Sequence, residues 1–202
     1  MTKQFFIEKR PHNGLTYAQY LQKMQDFIEK ADSHPGDDET KKRVEFTKLN
    51  FHRSRRIGRT YEVSPSLCSL LAKIKTPQLW MALTEVWCGD SSQSLPLIAK
   101  YAECNKNITL RILMRDENPD IMDHYLTNGT RSVPILVIFK EDGEEITRWG
   151  PRPKEAVELF SQLQAKGLEK EEIIKQIQLW YSRDRGKTIV KEFTELFGNI
   201  TS

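Results

Sequence analysis

The sequence has little cysteine, with three among its 202 residues, at positions 68, 88 and 104. An odd, low count argues against a framework of disulfides, and no two of them have the spacing of a C-x-x-C pair. We therefore expect Cys68 and Cys104 to be small, buried apolar residues. The four histidines are scattered and form no zinc-site pattern, so we expect neither a metal nor a cofactor.

Long apolar runs are also missing. The first apolar run, Phe5-Phe6-Ile7, has three residues, whereas a secretory signal needs about 7–15 and a membrane span about 20. We therefore expect a cytoplasmic protein that binds no membrane. The formal net charge of +3 is too small to indicate nucleic acid as a partner.

One stretch of the chain is rich in basic residues, namely His52, Arg53, Arg55, Arg56 and Arg59. No aromatic residues alternate with them at the spacing that base stacking requires. We expect a solvated helix end here rather than a site for RNA or an acidic partner.

Helical periodicity predicts two helices near the start of the chain, over residues 14–31 and 37–56. Pro35-Gly36 is the predicted turn between them. Such a hairpin is too small to bury a core alone, so it is expected to pack on the rest of the chain. Farther along, Trp80, Trp180 and Tyr181 are expected to be packing residues.

Residues 78–165 predict the order β-α-β-α-β-β-α. Strands that alternate with helices indicate parallel pairing through right-handed crossovers. Asp142-Gly143 is typical of a hairpin turn, so the last strand, 145–149, is expected to return antiparallel. We divide the chain into an N-terminal helical hairpin extension (1–60), an α/β domain (61–166) and a C-terminal helical extension (167–202).

The segment that carries chemistry is Trp87-Cys88-Gly89-Asp90-Ser91, at the predicted turn from the first strand into a helix. A cysteine at a helix N-terminus faces unpaired backbone N–H groups and the positive end of the helix dipole, and both favour the thiolate. Asp90, a first-turn acid that stabilises the helix, opposes this with its charge. We expect a modestly lowered pKa for the Cys88 thiol, whose thiolate is the form that attacks disulfides.

This order of elements resembles the thioredoxin family, and four local features strengthen the resemblance. Trp87-Cys88-Gly89 stands where the family has Trp-Cys-Gly-Pro-Cys, and Pro96 stands where it has a helix-kinking proline. Val133-Pro134 opens the third strand like the family's cis-proline, and Trp149-Gly150 ends the hairpin near the family's substrate groove. The resemblance covers roughly residues 64–165, and the helical ends resemble a bacterial branch of thioredoxin-like proteins with poorly defined function. It implies an α/β thioredoxin fold, a three-layer α/β/α arrangement around a central mixed sheet, with N- and C-terminal helical extensions.

The resemblance also implies roles for site residues. Cys88 and Ser91 are the implied catalytic residues, and the implied substrate-binding residues are Trp87, Gly89, Asp90, Val133, Pro134 and Gly150. In the family, the backbone just before the cis-proline, here Val133, pairs with an extended substrate. For Ser91 two interpretations stay open: its hydroxyl caps the helix N-terminus, or it donates to the Cys88 thiolate.

Two residues depart from the family pattern. Ser91 replaces the second cysteine, so Cys88 would stop at a mixed disulfide until an external thiol attacked it. Cys104 lies 16 residues beyond Cys88, ~24 Å along a straight helix, which is too far for a disulfide with it. Ala82 occupies the position of a buried aspartate that moves protons in the family.

The sequence supports three hypotheses about function. The first is a monothiol thiol–disulfide oxidoreductase in cell redox homeostasis, acting on a protein or small-molecule disulfide, with glutathione or another low-molecular-weight thiol as external reductant. The second is a non-catalytic thioredoxin-fold binding module that has lost redox activity. The third is an iron–sulfur carrier, because Cys88-Gly89-Asp90-Ser91 echoes the Cys-Gly-x-Ser turn of monothiol glutaredoxins. Trp87 departs from that turn, and the sequence offers no identifiable glutathione-binding set.

Overall fold

The computed structural model describes residues 2–33 and 36–200, and a four-stranded sheet forms its centre. The strands, in chain order, are β1 (Gln78–Thr84), β2 (Ile108–Met114), β3 (Ile135–Lys140) and β4 (Glu145–Trp149). The helices are α1 (Gln4–Ile7), α2 (Tyr17–Ser33), α3 (Asp38–Thr60), α4 (Pro65–Leu71), α5 (Gly89–Ala102), α6 (Pro119–Met122), α7 (Lys154–Ala165), α8 (Lys170–Asp184) and α9 (Lys187–Ile200). A short 3₁₀ helix, Asp123–Tyr125, comes after α6. No helix in these ranges is long and apolar enough to cross a membrane.

The sheet is mixed, in the order β2-β1-β3-β4. β1 runs parallel to β2 but antiparallel to β3, so the prediction of parallel pairing holds for the first two strands only. The connection after β2, residues 115–134, contains no helix that matches the strands in length: α6 has four residues and rises about 6 Å, whereas a seven-residue strand is about 23 Å long. β3 begins at the end of the sheet where β2 finishes and runs back from there. β4 returns antiparallel to β3, as predicted.

Side chains bury both faces of the sheet. Every residue of β1 is buried, which agrees with its nearly continuous apolar run. On one face Trp80 stacks on Phe197 of α9, with the ring centroids 5.3 Å apart. On the other face Phe6 of α1 packs on Phe139, at 5.1 Å between centroids. The sequence did not indicate α1, and it did not indicate that α9 completes the main core.

The two predicted N-terminal helices are present as α2 and α3. Asp37 begins α3 because its side chain accepts a hydrogen bond from the Thr40 backbone N–H at 2.9 Å, and α3 continues four residues beyond the predicted end. The predicted turn at Pro35-Gly36 lies partly outside the described residues. α3 packs along α5, and the Tyr20 hydroxyl of α2 donates to the Glu85 carbonyl at 3.3 Å. The hairpin is thereby fixed beside the end of β1, and the three-part division of the chain stays a prediction.

The C-terminal helices α8 and α9 are separated by a short turn. Arg185 and Gly186 both have left-handed backbone conformations, with φ of 54° and 81°. A residue in this conformation ends a helix, and glycine adopts it without steric cost. The turn lets α9 lie against the sheet, while α8 passes the N-terminus of α5.

Candidate active site around Cys88

Cys88 lies at the point where the chain leaves β1 and enters α5. It is the N-cap residue of α5, with extended backbone angles and no side-chain capping bond of its own. The capping interpretation of Ser91 is therefore wrong for this helix. Instead, the Ser91 hydroxyl accepts a hydrogen bond from Thr84 at 2.6 Å and donates to the Cys88 sulfur.

The Cys88 side chain is buried, and its sulfur has hydrogen-bond partners. Only 7% of the residue is exposed, and the Sγ–H group donates to the Val133 carbonyl oxygen at 3.2 Å. The backbone N–H groups of Asp90 and Ser91 also point at the sulfur. A thiol at this position thus has an acceptor for its proton, and a thiolate has three donors around it.

The pKa of the Cys88 thiol is raised to about 11, which overturns the expected modest fall. Burial is the largest cause, and the negative charge of Asp90 is the second. The donors from Ser91 and Asp90 act in the opposite direction but are weaker. The prediction was wrong because a helix N-terminus stabilises an anion by up to ~2 kcal/mol, whereas removing the sulfur from water costs more.

Asp90 is part of a buried charged network that the sequence did not predict. Its carboxylate forms an ion pair with Arg152 at 2.7 Å and accepts a hydrogen bond from the Tyr181 hydroxyl at 3.0 Å. Burial raises the pKa of Asp90, and the Arg152 charge opposes that rise. Tyr181 was expected to be a packing residue, but it also carries this polar contact into the site from α8. Because Asp90 and Tyr181 are 91 positions apart, no local pattern could have connected them.

Cys88 lines a groove of about 820 Å³. Four predicted site residues line it as well, namely Trp87, Gly89, Asp90 and Val133. The Trp87 ring is held between the guanidinium groups of Arg43 and Arg115, 5.6 and 5.0 Å from its centroid. The far wall comes from α3 and α8, which the sequence had not connected with the site; it includes Phe46, Leu49, Asn50, Arg53, Ile174 and Gln178.

Pro134 and Gly150 lie beside the groove and are not among its lining residues. The Val133–Pro134 and Gly150–Pro151 peptide bonds are both cis. Gly150 has φ of 118°, and a Cβ atom there would collide with the Pro134 carbonyl oxygen. A glycine at position 150 is therefore required for close packing of the hairpin end on β3. The two residues that follow it, Pro151 and Arg152, line the groove.

The comparisons with known proteins agree with this geometry. A family model described as thioredoxin matches residues 37–166. The chain belongs to the thioredoxin family. Thioredoxin from Rhodospirillum rubrum is 32% identical over 80 residues, which cover 39% of this chain and 72% of that protein. Thioredoxin from Rickettsia felis is 29% identical over 72 residues, covering 35% of this chain and 66% of that protein.

The fold similarity of this thioredoxin-family chain extends to its helical ends. A crystal structure of a protein of unknown function from Pseudomonas aeruginosa aligns with a TM-score of 0.58 at 15% identity. The alignment covers 94% of this chain and 95% of the other. At this identity the match shows a shared fold and nothing about activity.

At position 82, where the family resemblance implies a buried aspartate, this chain has an alanine. Ala82 is fully buried in β1. Glu85 is the nearest acid in sequence, but its carboxylate accepts a hydrogen bond from the Asp116 backbone at 2.8 Å. Glu85 does not line the groove, so it does not replace the missing aspartate.

The structure corrects the prediction for the other two cysteines. Cys68 and Cys104 form a disulfide, with their Cα atoms 5.4 Å apart, and both are half-buried rather than buried. The bond joins α4 to the turn after α5. The two cysteines are 36 positions apart in sequence and approach each other only in the folded state, so their spacing did not indicate the bond. Cys88 is the free cysteine.

Proposed function

We propose that this protein is a monothiol thiol–disulfide oxidoreductase that reacts through Cys88. The observation that carries the proposal is the position of Cys88, which lines the groove and whose Sγ–H group donates to the Val133 carbonyl at 3.2 Å. The family supplies thiol–disulfide chemistry as the expected reaction, and the three donors around the sulfur suit a thiolate. The roles of Ser91, the substrate-binding residues and a cytoplasmic location stay predictions.

The reaction proceeds in two exchanges. The Cys88 thiolate attacks one sulfur of a substrate disulfide, forms a mixed disulfide with it, and releases the other sulfur as a thiolate that takes up a proton. Ser91 cannot attack the mixed disulfide. An external low-molecular-weight thiol such as glutathione therefore does so, forming a new disulfide with the substrate sulfur and restoring the Cys88 thiolate. One substrate sulfur thus leaves reduced as a thiol, and the sulfur of the external thiol is oxidised in its place.

The raised pKa makes this reaction slow at neutral pH. With a pKa of about 11 for Cys88, the thiolate fraction grows about tenfold for each pH unit below that value. We expect the rate of Cys88 alkylation by iodoacetamide to rise through this range without a plateau before about pH 10. Mass spectrometry of the modified chain gives the rate, and the Cys88→Ala variant gives the background. A plateau at the ordinary thiol pKa of about 8.5 or below would contradict the enclosed sulfur.

Turnover tests the function itself. Glutathione-dependent reduction of a small mixed disulfide is expected in the wild-type protein, with a rate that increases with pH. Equal rates in the wild type and Cys88→Ala would refute the oxidoreductase proposal.

The second candidate is a non-catalytic binding module. The raised pKa of Cys88, the serine at position 91 and the buried Ala82 favour it. It predicts that Cys88→Ala keeps full affinity for partners while the wild type shows no glutathione-dependent turnover at any pH.

A further inference from the structure

The residues that line the groove carry an excess of positive charge. Six are basic and one is acidic: Arg53, Arg115, Arg131, Arg152, Lys170 and Lys175 against Asp90. Four of the six have an acidic partner within 4 Å, since Arg152 pairs with Asp90 and the other three pair with carboxylates outside the groove. Within the part of the chain that the structure describes, Arg53 and Lys170 have no such partner.

Arg53 is the more informative of these two cations. It was expected in a solvated helix end, but it is half-buried and lines the groove, and the hydrogen bond found for its guanidinium goes to the Asn50 side chain at 3.2 Å. Burial lowers the pKa of Arg53, and the charge of Arg56 adds to this. A partly desolvated cation without a counter-charge is unfavourable, so an anion in the groove would be stabilised next to it. The Arg152 Nε–H group is a second buried donor with no partner.

The groove also presents apolar surface. Phe46 and Leu49 are 43% and 51% exposed, and they share one face of α3 with Arg53 because residues three and four positions apart are neighbours on a helix. Trp87 and Ile174 continue this surface on the other elements. The groove therefore suits a ligand that has apolar groups as well as negative charge.

The shape of the site favours a polypeptide. Its volume of about 820 Å³ holds several residues of an extended chain. In the lining segment 130–133, Thr130 is already bonded to Thr127, and the carbonyls of residues 131 and 133 accept from side chains. Within the described residues, the Ser132 backbone and the Val133 N–H group, next to Cys88, are left to pair with a ligand. An extended segment can pair with these backbone groups and place alternate side chains against the walls. We infer that the groove binds an extended polypeptide segment in which acidic and apolar residues flank a cysteine. This names the substrate class of the proposed function and rests on it for the reactive step.

Binding can be measured without the reactive thiol. Three fluorescent peptides of equal length each have a serine in place of the cysteine, with leucine residues next to it. The flanking residues are glutamate in the first peptide, glutamine in the second and lysine in the third. On the Cys88→Ala protein at low salt we expect the glutamate peptide to bind about threefold to tenfold more tightly than the glutamine peptide, and the lysine peptide to bind most weakly. Added salt is expected to remove this order.

Variants locate the effect. Arg53→Gln and Lys170→Glu are each expected to reduce the preference for the glutamate peptide about threefold. Lys106→Glu makes the same charge change as Lys170→Glu at an exposed site outside the groove, and it is expected to leave the preference unchanged. Because Lys170 is exposed, its substitution tests the inference even if Arg53→Gln fails to fold.

The outcomes separate the inference from the proposed function. Equal affinity for the three peptides, or equal effects of Lys170→Glu and Lys106→Glu, would overturn the inference. Tighter binding of an RNA oligonucleotide than of the glutamate peptide would also overturn it. The cysteine-containing peptides, offered as mixed disulfides to the wild type, test the reaction. Selective binding of the glutamate peptide without thiol–disulfide exchange would refute the oxidoreductase proposal and support the inference of an acidic ligand. Exchange without a charge preference would support the oxidoreductase proposal and refute the inference.

Discussion

Asp90 and Arg152 act on the Cys88 thiol with opposite charges. The Asp90 carboxylate raises the pKa of Cys88, whereas Arg152 is attracted to the thiolate, and the two side chains form an ion pair at 2.7 Å. Asp90→Asn removes the repulsion and leaves the Arg152 charge close to the sulfur. We therefore expect Asp90→Asn to lower the pKa of Cys88 and speed its alkylation at neutral pH several-fold. Arg152→Gln is expected to raise the pKa and slow alkylation.

Each of these changes leaves a buried charge without its partner, which costs about 3–5 kcal/mol of folding free energy. Circular dichroism is needed to confirm that the variants are folded. Tyr181→Phe is the matched control, because it removes a hydrogen bond to Asp90 and changes no formal charge. Opposite shifts for the two charge variants support the network. Shifts in the same direction would mean that altered packing controls the thiol.

At this scale the sequence predicted the position of the Cys88 thiol but not its environment. The motif around Cys88 placed the thiol at a helix N-terminus, where the structure has it. Its burial depends on segments far along the chain, among them Val133, so the sign of the pKa shift was wrong. Arg152 and Tyr181 were missed for the same reason. A local sequence pattern predicts the contacts of a side chain only when the contacting segments are close to it in sequence.

Among the elements, α9 contributes more than its position at the end of the chain suggests. Phe193 is fully buried, and its ring lies 5.0 Å from that of Tyr101 on α5 and 5.7 Å from that of Trp149 on β4. Phe193→Ala removes these contacts and leaves a cavity. We expect a loss of about 3–5 kcal/mol in the free energy of unfolding, measured by urea denaturation.

Leu179→Ala on α8 is the matched control, since Leu179 is 43% exposed and its truncation is expected to change stability by less than about 0.5 kcal/mol. A small effect of Phe193→Ala would mean that α9 is not part of the cooperative core. Such a result would favour the predicted division into a domain and a separate C-terminal extension.

Helices and strands were predicted well where the residues of the segment itself determine its secondary structure. The bounds of β4 are those expected, and the four strands occur in the predicted order. Strand direction was less predictable, because it depends on whether the connection contains a helix that carries the chain back along the sheet. The rule that alternating strands and helices pair in parallel failed at β3, where a four-residue helix replaces a full crossover.

Over the whole molecule, the groove is assembled from parts that are distant in sequence. α3 supplies one wall, the turn after β1 supplies the thiol, and α8 supplies another wall. The fold was predictable because four family features occur in the right order. The walls were not predictable, because an amphipathic helix such as α3 does not specify which surface it will cover.

The Cys68–Cys104 disulfide tests the arrangement of the molecule as a whole, since it joins residues 36 positions apart, one on α4 and the other in the turn after α5. Closing a loop of this size restricts the unfolded chain and stabilises the folded state by about 2–4 kcal/mol. We expect a reductant to lower the free energy of unfolding by this amount in the wild type and in Cys88→Ser.

Cys68→Ser is expected to start at the lower stability and to show no response to the reductant. A thiol count in denaturant is an independent check: the oxidised wild type should expose one free thiol, that of Cys88, and the reduced protein three. Three free thiols without reductant, or equal stability with and without it, would mean that α4 and the end of α5 are not linked. Because α5 carries Cys88 at its other end, a loss of stability without any change in Cys88 alkylation would further show that the disulfide stabilises the fold and does not tune the thiol.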